Sequence, residues 1–359
     1  MSEKYGAPTA ARPDGGRPVR VGINGFGRIG RSVFRAALDD PRVEVVGIND
    51  VMDREDMAYL AQYDTVMGTL EDVSLEGDIL SARGTRVELF DEEEPAALPW
   101  DELDVDVAFE ATGLFRTREE AAGHLDAGAE KVLISAPPKG DDPVPQLVYG
   151  VNHEEYDGED VVSNASCTTN SIAPVAKVLH DRFGIDAGIL TTVHAYTGSQ
   201  NLVDGPKAKT RRGRAAAANI VPTSTGAASA TVEILPELEG RLDGRAMRVP
   251  VPNGSITDLT VDLQGDPDAA EINEALRRAA EDELAGVLGY TDDEIVSSDV
   301  VGLPFSSYVD LQSTQTVGDG ALAKVLTWYD NEFGFANRML DVAVFIRRGQ
   351  PDRVPPEIQ

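Results

Sequence analysis

Residues 19–50 read VRVGINGFGRIGRSVFRAALDDPRVEVVGIND, and this stretch decides the fold of the first half of the chain. Residues 19–24 alternate with an apolar bias and read as a strand. Gly25-Phe26-Gly27-Arg28-Ile29-Gly30 follows, then the helical stretch RSVFRAAL. A second strand over residues 43–49 ends at Asp50, 20 residues beyond Gly30. A glycine pattern alone is a weak signal. Here strand, glycine turn, helix, strand and acid stand in the order of a βαβ dinucleotide-binding unit. The glycines permit a tight turn and close approach of a pyrophosphate, and the helix start offers N–H groups and a positive dipole end. Asp50 can accept hydrogen bonds from ribose hydroxyls, and its charge repels a 2′-phosphate. NAD rather than NADP is the expected cofactor. The bland alternative is a plain strand–turn–helix with Asp50 as a helix cap.

Working outward, strands are expected at 85–90, 105–109 and 131–135, with helical stretches at 55–62 and 117–127 between them. This alternation predicts an α/β, Rossmann-type doubly wound parallel sheet. The character changes near residue 160. VVSNASCTTN leads into SIAPVAKVLHDRF, a helix with apolar positions at helical spacing. Strands are then expected at 188–196, 245–251, 255–263, 308–312 and 321–327, with a helix over 271–284 that starts near Asp268. They predict an α+β catalytic domain with a mixed, largely antiparallel sheet. The expected division is a disordered leader over 1–17, a nucleotide-binding domain over 18–166 and a catalytic domain over 167–333. A C-terminal helix over 334–350 is expected to pack back on the first domain, and 351–359 forms a tail.

The formal net charge is −30, from 62 acidic and 32 basic residues, and lysine is scarce. Such a chain excludes nucleic acid and anionic membranes as partners, because both need a basic face. Its surface repels itself at low salt and is screened at high salt, where the Debye length falls to about 3 Å at 1 M. A salt-rich cytoplasm is expected. No apolar run reaches the ~18 residues that a membrane helix needs, and the N-terminus lacks the apolar core of a secretory signal. No metal site is expected.

One cysteine is present, Cys167, so an internal disulfide is impossible. Ser166-Cys167-Thr168-Thr169-Asn170 stands just ahead of a helix, whose N-terminus lowers a thiol's pKa. Neighbouring hydroxyls and N–H groups can hold an oxyanion or a phosphate. His194 lies 27 residues on, at the end of a strand, and could serve as base to that nucleophile. A packing thiol and a satisfied core histidine fit the same spacing. Of the other histidines, His124 and His180 are expected at the surface, and His153 has a poor catalytic context. Arg248, on a strand-like segment, can grip a phosphate with two N–H groups. Arg211, Arg212 and Arg214 form a second basic cluster, expected as an inter-subunit salt-bridge patch. Thr225-Gly226 alone would be only a turn.

Taken together, INGFGRIGR, ATG, SNASCTTN, TVHAYTGSQNLVDGP, NIVPTSTGAA, RVPVPNGS and WYDNEFGFANR resemble the glyceraldehyde-3-phosphate dehydrogenase family, from residue 19 to about 345 and in the family's order. The resemblance implies a phosphorylating, NAD-dependent dehydrogenase that works through a cysteine thioester. It implies that Arg28 and Ile29 stand at the pyrophosphate, that Asp50 binds ribose, and that Thr112 and Ser135 line the cofactor groove. Asn331 would hold the nicotinamide amide. Cys167 resembles the nucleophile and His194 its base. Thr197 and Arg248 resemble the site for the substrate's C3 phosphate; Ser166, Thr168, Thr225 and Gly226 resemble that for inorganic phosphate. Gly205-Pro206 resembles NAD-using members. The family is homotetrameric, with the stretch around 195–220 packed between subunits, and a cytoplasmic location follows. In two departures, Phe333 and Phe335 stand where Trp and Tyr are common, and Ser229 replaces a common lysine. The nearest rival is erythrose-4-phosphate dehydrogenase, with a non-catalytic NAD-binding sensor more remote.

Overall fold

The computed structural model describes residues 16–318 and 322–348. Residues 1–15 of the expected leader, and the tail over 351–359, lie outside the described residues. Arg17 corrects the leader reading. Its guanidinium donates to both oxygens of the buried Asp106, at 2.9 and 2.8 Å. A buried carboxylate needs such partners, and strand entry brings Arg17 to it. Of the described residues, 16–149, 153–165 and 336–348 form one compact unit, and 150–152 with 166–335 form the other. Ser166 goes with the second unit because it caps that unit's first helix.

In the first unit, β1 (Val19–Asn24), β2 (Val43–Asn49), β5 (Thr85–Phe90), β6 (Val107–Glu110), β7 (Lys131–Ile134) and β8 (Val161–Ser163) pair in parallel. An antiparallel edge is added by β3 (Ser74–Glu76) and β4 (Ile79–Ala82), so the order is β3-β4-β5-β2-β1-β6-β7-β8. Parallel strands are covered on both faces, which is why β6 and β8 are buried at every position. The strand order reverses between β1 and β6, so their carboxyl ends, Asn24 and Glu110, flank the switch point where such sheets bind ligands.

The connecting helices are α1 (Arg28–Ala37), α2 (Arg54–Gln62), α3 (Arg118–Ala121) and α4 (Gly123–Asp126). In the second unit the helices are α5 (Cys167–Phe183), α6 (Ala227–Ile234) and α7 (Ala269–Glu281). The helix that ends the described chain, α8 (Phe333–Arg348), gives its residues from 336 onward to the first unit. There Asp341 accepts from Arg42 at 2.7 Å and pairs with Arg338 at 2.6 Å, while the Phe345 ring lies 4.8 Å from that of His153.

The second unit's sheet contains β9 (Ile185–Ala195), β10 (Val221–Ser224), β11 (Leu242–Val249), β12 (Ser255–Leu263), β13 (Leu288–Thr291), β14 (Ser307–Val317) and β15 (Leu322–Tyr329). Its order is β10-β11-β9-β12-β15-β14-β13, antiparallel except for β9 with β11 and β13 with β14. Alternate residues of β12 are buried, the period of a strand with one face on a core. Thr168–Ala176 of α5 are all buried, so this helix is packed on every side rather than amphipathic. Asp268 and Glu271 form a reciprocal capping box, which starts α7 two residues before the expected 271.

Candidate active site

In the first unit the three fingerprint glycines have separate jobs. Gly25 takes φ +98°, and a Cβ there would stand 2.5 Å from the Thr112 nitrogen. A Cβ on Gly30 would stand 2.0 Å from the Gly25 oxygen, so helix and turn require bare backbone. A Cβ on Gly27 would meet nothing within 4 Å, and no side chain caps α1 there. That leaves open space before a helix N-terminus, which suits a pyrophosphate. Asp50 accepts from the Phe26 nitrogen at 2.6 Å and from Met52 at 3.1 Å, which locks the acid onto the turn. The cap of α2 is Asp53, not Asp50. Phe26 is buried, Ile29 half-buried, and the Arg28 guanidinium is engaged by Asp64. These residues fit NAD.

Beneath the turn lies a network that sequence reading missed. His124 is 0% exposed, which overturns its expected surface position. Trp100 Nε1 donates to His124 Nδ1 at 3.0 Å, so the ring proton sits on Nε2, 3.2 Å from Glu110 Oε2. Glu110 also accepts from Asn24 Nδ2 at 2.7 Å, from the Thr112 nitrogen at 2.9 Å and from the Thr112 hydroxyl. Asn49 Nδ2 donates to Asn24 Oδ1 at 2.7 Å. Thr112 is thereby fixed, and Ser135 is tied to the Glu110 carbonyl through its nitrogen at 2.9 Å. The other two histidines are structural: His180 Nδ1 accepts from the Ile185 nitrogen at 3.1 Å, and His153 is buried beside Tyr149.

In the second unit Ser166 Oγ accepts from the Thr169 nitrogen at 3.0 Å and caps α5, which makes Cys167 its first residue. Ala165, just before, holds φ 56°, a left-handed conformation that costs a non-glycine residue about 1–2 kcal/mol. Cys167 Sγ lies 3.5 Å from His194 Nε2. Register explains the third member: Arg248 on β11 pairs with His194 on β9. Arg248 Nη1 lies 2.8 Å from His194 Nδ1 and donates to the Ala195 carbonyl at 2.9 Å. His194 Nδ1 is itself 2.7 Å from that carbonyl. Thr168 Oγ1 meets the Tyr329 hydroxyl at 3.0 Å, and Tyr329 sits edge-on to the His194 ring. Asn331 Oδ1 accepts from Ser255 at 2.7 Å.

Burial pushes His194 down to about 3, reinforced by the Arg248 charge. The expected lowering of the Cys167 thiol is opposed: burial pushes it up, against the pull of Arg248 and the N–H groups at the helix start. Among the described residues, Thr197, Thr225 and Gly226 make no hydrogen bond to this cluster. Thr197 Oγ1 meets Ser199 at 2.9 Å, Thr225 Oγ1 accepts from Ala227 at 3.1 Å, and Gly226 is the N-cap of α6. The basic patch expected between subunits is partly used within the chain. Arg214 pairs with Asp204 at 2.8 Å. Arg212 donates to Thr223 at 3.0 Å, and its charge also holds His194 down. Tyr329 and Ser255 are members that the sequence did not single out, and Arg212 was read only as part of a basic patch between subunits.

A doubly wound sheet with a dinucleotide fingerprint, and a second domain joining cysteine, histidine and arginine, define an NAD-dependent dehydrogenase of the cysteine type. Comparison with known proteins gives the family. Residues 19–118 match the NAD binding domain of glyceraldehyde 3-phosphate dehydrogenase, and residues 166–331 its C-terminal domain. The glyceraldehyde-3-phosphate dehydrogenase of Haloarcula vallismortis is 68% identical, over 92% of this chain and 98% of its own. Glyceraldehyde-3-phosphate dehydrogenase 1 of Bacillus subtilis is 51% identical over 92% and 98%, and the Mycobacterium tuberculosis enzyme 53% over 91% and 98%. The chain belongs to the glyceraldehyde-3-phosphate dehydrogenase family.

Proposed function

We propose that the chain oxidises D-glyceraldehyde 3-phosphate to 1,3-bisphosphoglycerate, with NAD and inorganic phosphate, through a thioester on Cys167. The 3.5 Å approach of Cys167 Sγ to His194 Nε2 carries this reading. Cys167 attacks the aldehyde carbon as His194 takes the thiol proton, forming a hemithioacetal. The Cys167 N–H and the protonated His194 hold its oxyanion, His194 returns the proton to it, and His194 takes that hydroxyl proton up again as the thioester forms. NAD, when bound, supplies the hydride acceptor. Inorganic phosphate then attacks the thioester carbon, and the cysteine sulfur leaves.

The two contacts of His194 Nδ1 match two states of one ring. With Nδ1–H donating to the Ala195 carbonyl, Nε2 is open to accept a proton. With Nδ1 accepting from Arg248, Nε2–H can donate to sulfur or to an oxyanion. Arg248 and Thr197 bind the C3 phosphate; Ser166, Thr168, Thr225 and Gly226 bind inorganic phosphate, with Arg212 adding charge. Gly25, Phe26, Gly27, Arg28, Ile29, Gly30, Asp50, Thr112, Ser135 and Asn331 hold NAD. Arg28 acts there through its backbone, since Asp64 engages its side chain.

The active form is a cytoplasmic homotetramer, and a net charge of −30 supports its adaptation to salt. The test is NADH absorbance with glyceraldehyde 3-phosphate and NAD in molar KCl, with and without phosphate. Sustained turnover that requires phosphate is expected. Steady turnover without it would contradict the phosphorylating route.

A further inference from the structure

Ser255 opens β12 and is 0% exposed. Its hydroxyl joins β9 to the turn that follows β15. It accepts the Ala195 N–H at 3.1 Å, one residue after His194 on β9. It donates to Asn331 Oδ1 at 2.7 Å. Tyr329, on the neighbouring β15, stands opposite Ser255 in the strand register. A serine hydroxyl has a single proton, and here it goes to Asn331 while a lone pair accepts from Ala195.

This assignment fixes a direction at Asn331. With Oδ1 held by the Ser255 proton, Nδ2 is the outward end of the amide, and it has no hydrogen-bond partner among the described residues. A flipped amide would set its N–H groups against that proton. The backbone beside Asn331 is equally constrained. Asp330 accepts from Asn253 at 2.8 Å and from the nitrogens of Gly302, Glu332 and Phe333 at 2.7, 2.9 and 2.8 Å.

We propose that Ser255 is a positioning residue that holds the Asn331 amide with its N–H group outward, so that it donates to the carbonyl oxygen of the nicotinamide carboxamide. This rests on the proposed role of Asn331. Through Ala195, the same hydroxyl ties the backbone of His194 to the residue that orients the ring it works beside.

The test compares binding of NAD and of ADP-ribose, which lacks the nicotinamide, by titration calorimetry on the full chain in molar KCl. Ser255→Ala is expected to weaken NAD about tenfold, the loss of one directed hydrogen bond, and to leave ADP-ribose within about twofold. Ser255→Cys serves if the alanine variant does not fold. Asn331→Ala should show the same selective loss. Unchanged NAD binding in the serine variant, or equal weakening of both ligands, overturns the proposal. If Asn331→Ala also leaves the ratio of the two affinities unchanged, the role of Asn331 falls with it. If only Asn331→Ala changes that ratio, the role of Asn331 stands and that of Ser255 falls.

Discussion

Cys167 Sγ stands 3.5 Å from His194 Nε2, the sulfur on the first residue of α5 and the ring on the penultimate residue of β9. On the proposed mechanism, a base held at that distance takes part in proton transfer. His194→Asn should lower kcat by roughly 10²–10⁴-fold while leaving NAD binding intact, the range for loss of a general base. Steady-state rates and an NAD titration on the same protein check both halves.

Burial, and after it the Arg248 charge, hold the His194 pKa down to about 3. Arg248→Leu should therefore raise it toward the ordinary value near 6.5, as read by NMR titration of the ring. The depressed pKa also affects stability. The folded state binds fewer protons than the unfolded chain, so this group's contribution is fully present above about 6.5 and is lost as pH falls from there toward 3. Below 6.5 the slope due to His194 approaches at most about 1.4 kcal/mol per pH unit. Unfolding of the wild type between pH 7 and pH 5 should show a steeper loss than unfolding of His194→Asn.

Asp50 is tied to the glycine turn through the Phe26 nitrogen at 2.6 Å, so its charge stays where a ribose 2′ position would come. Asp50→Asn removes the repulsion of a 2′-phosphate and keeps a hydrogen-bonding side chain. The ratio of kcat/KM for NAD to that for NADP should fall by about tenfold or more, each tenfold being about 1.4 kcal/mol.

His124→Ala strips Trp100 and Glu110 of a buried partner and opens a cavity. The expected loss is about 2–4 kcal/mol, seen as a lower denaturant midpoint. A shift within about 0.5 kcal/mol would be the behaviour of a surface histidine.

With 62 acidic against 32 basic residues, thermal unfolding should move upward between 0.1 M and 2 M KCl as the Debye length falls from about 10 Å to under 3 Å. Equal stability at both salts would remove the salt-adapted reading.

What the sequence made legible was local. Gly25 to Gly30, Asp50, and Cys167 at a helix start all announce themselves within a few residues. What it hid depends on strand register. Arg248 reaches His194 because β11 and β9 pair in parallel with those two residues opposite, and Ser255 meets Tyr329 by the register of β12 with β15. No short-range pattern specifies either pairing. His124 was misplaced because α4 has four residues, too few for a helical period to show which face is buried. Thr225-Gly226 lies outside the helix, as its turn reading has it, but α6 itself was not foreseen, because Ala227–Ile234 opens with small residues and its cap, Gly226, contributes no side chain.

On the proposed mechanism Cys167 carries the acyl group. The direct measurement is intact-protein and peptide mass spectrometry after mixing the chain with NAD and glyceraldehyde 3-phosphate, without phosphate. A burst of about one NADH per site is expected, with one phosphoglyceroyl group on the peptide containing Cys167. Both should be absent in Cys167→Ser, and added phosphate or arsenate should discharge the adduct. A burst of NADH with no acyl group on that peptide, or normal turnover by Cys167→Ser, would contradict it.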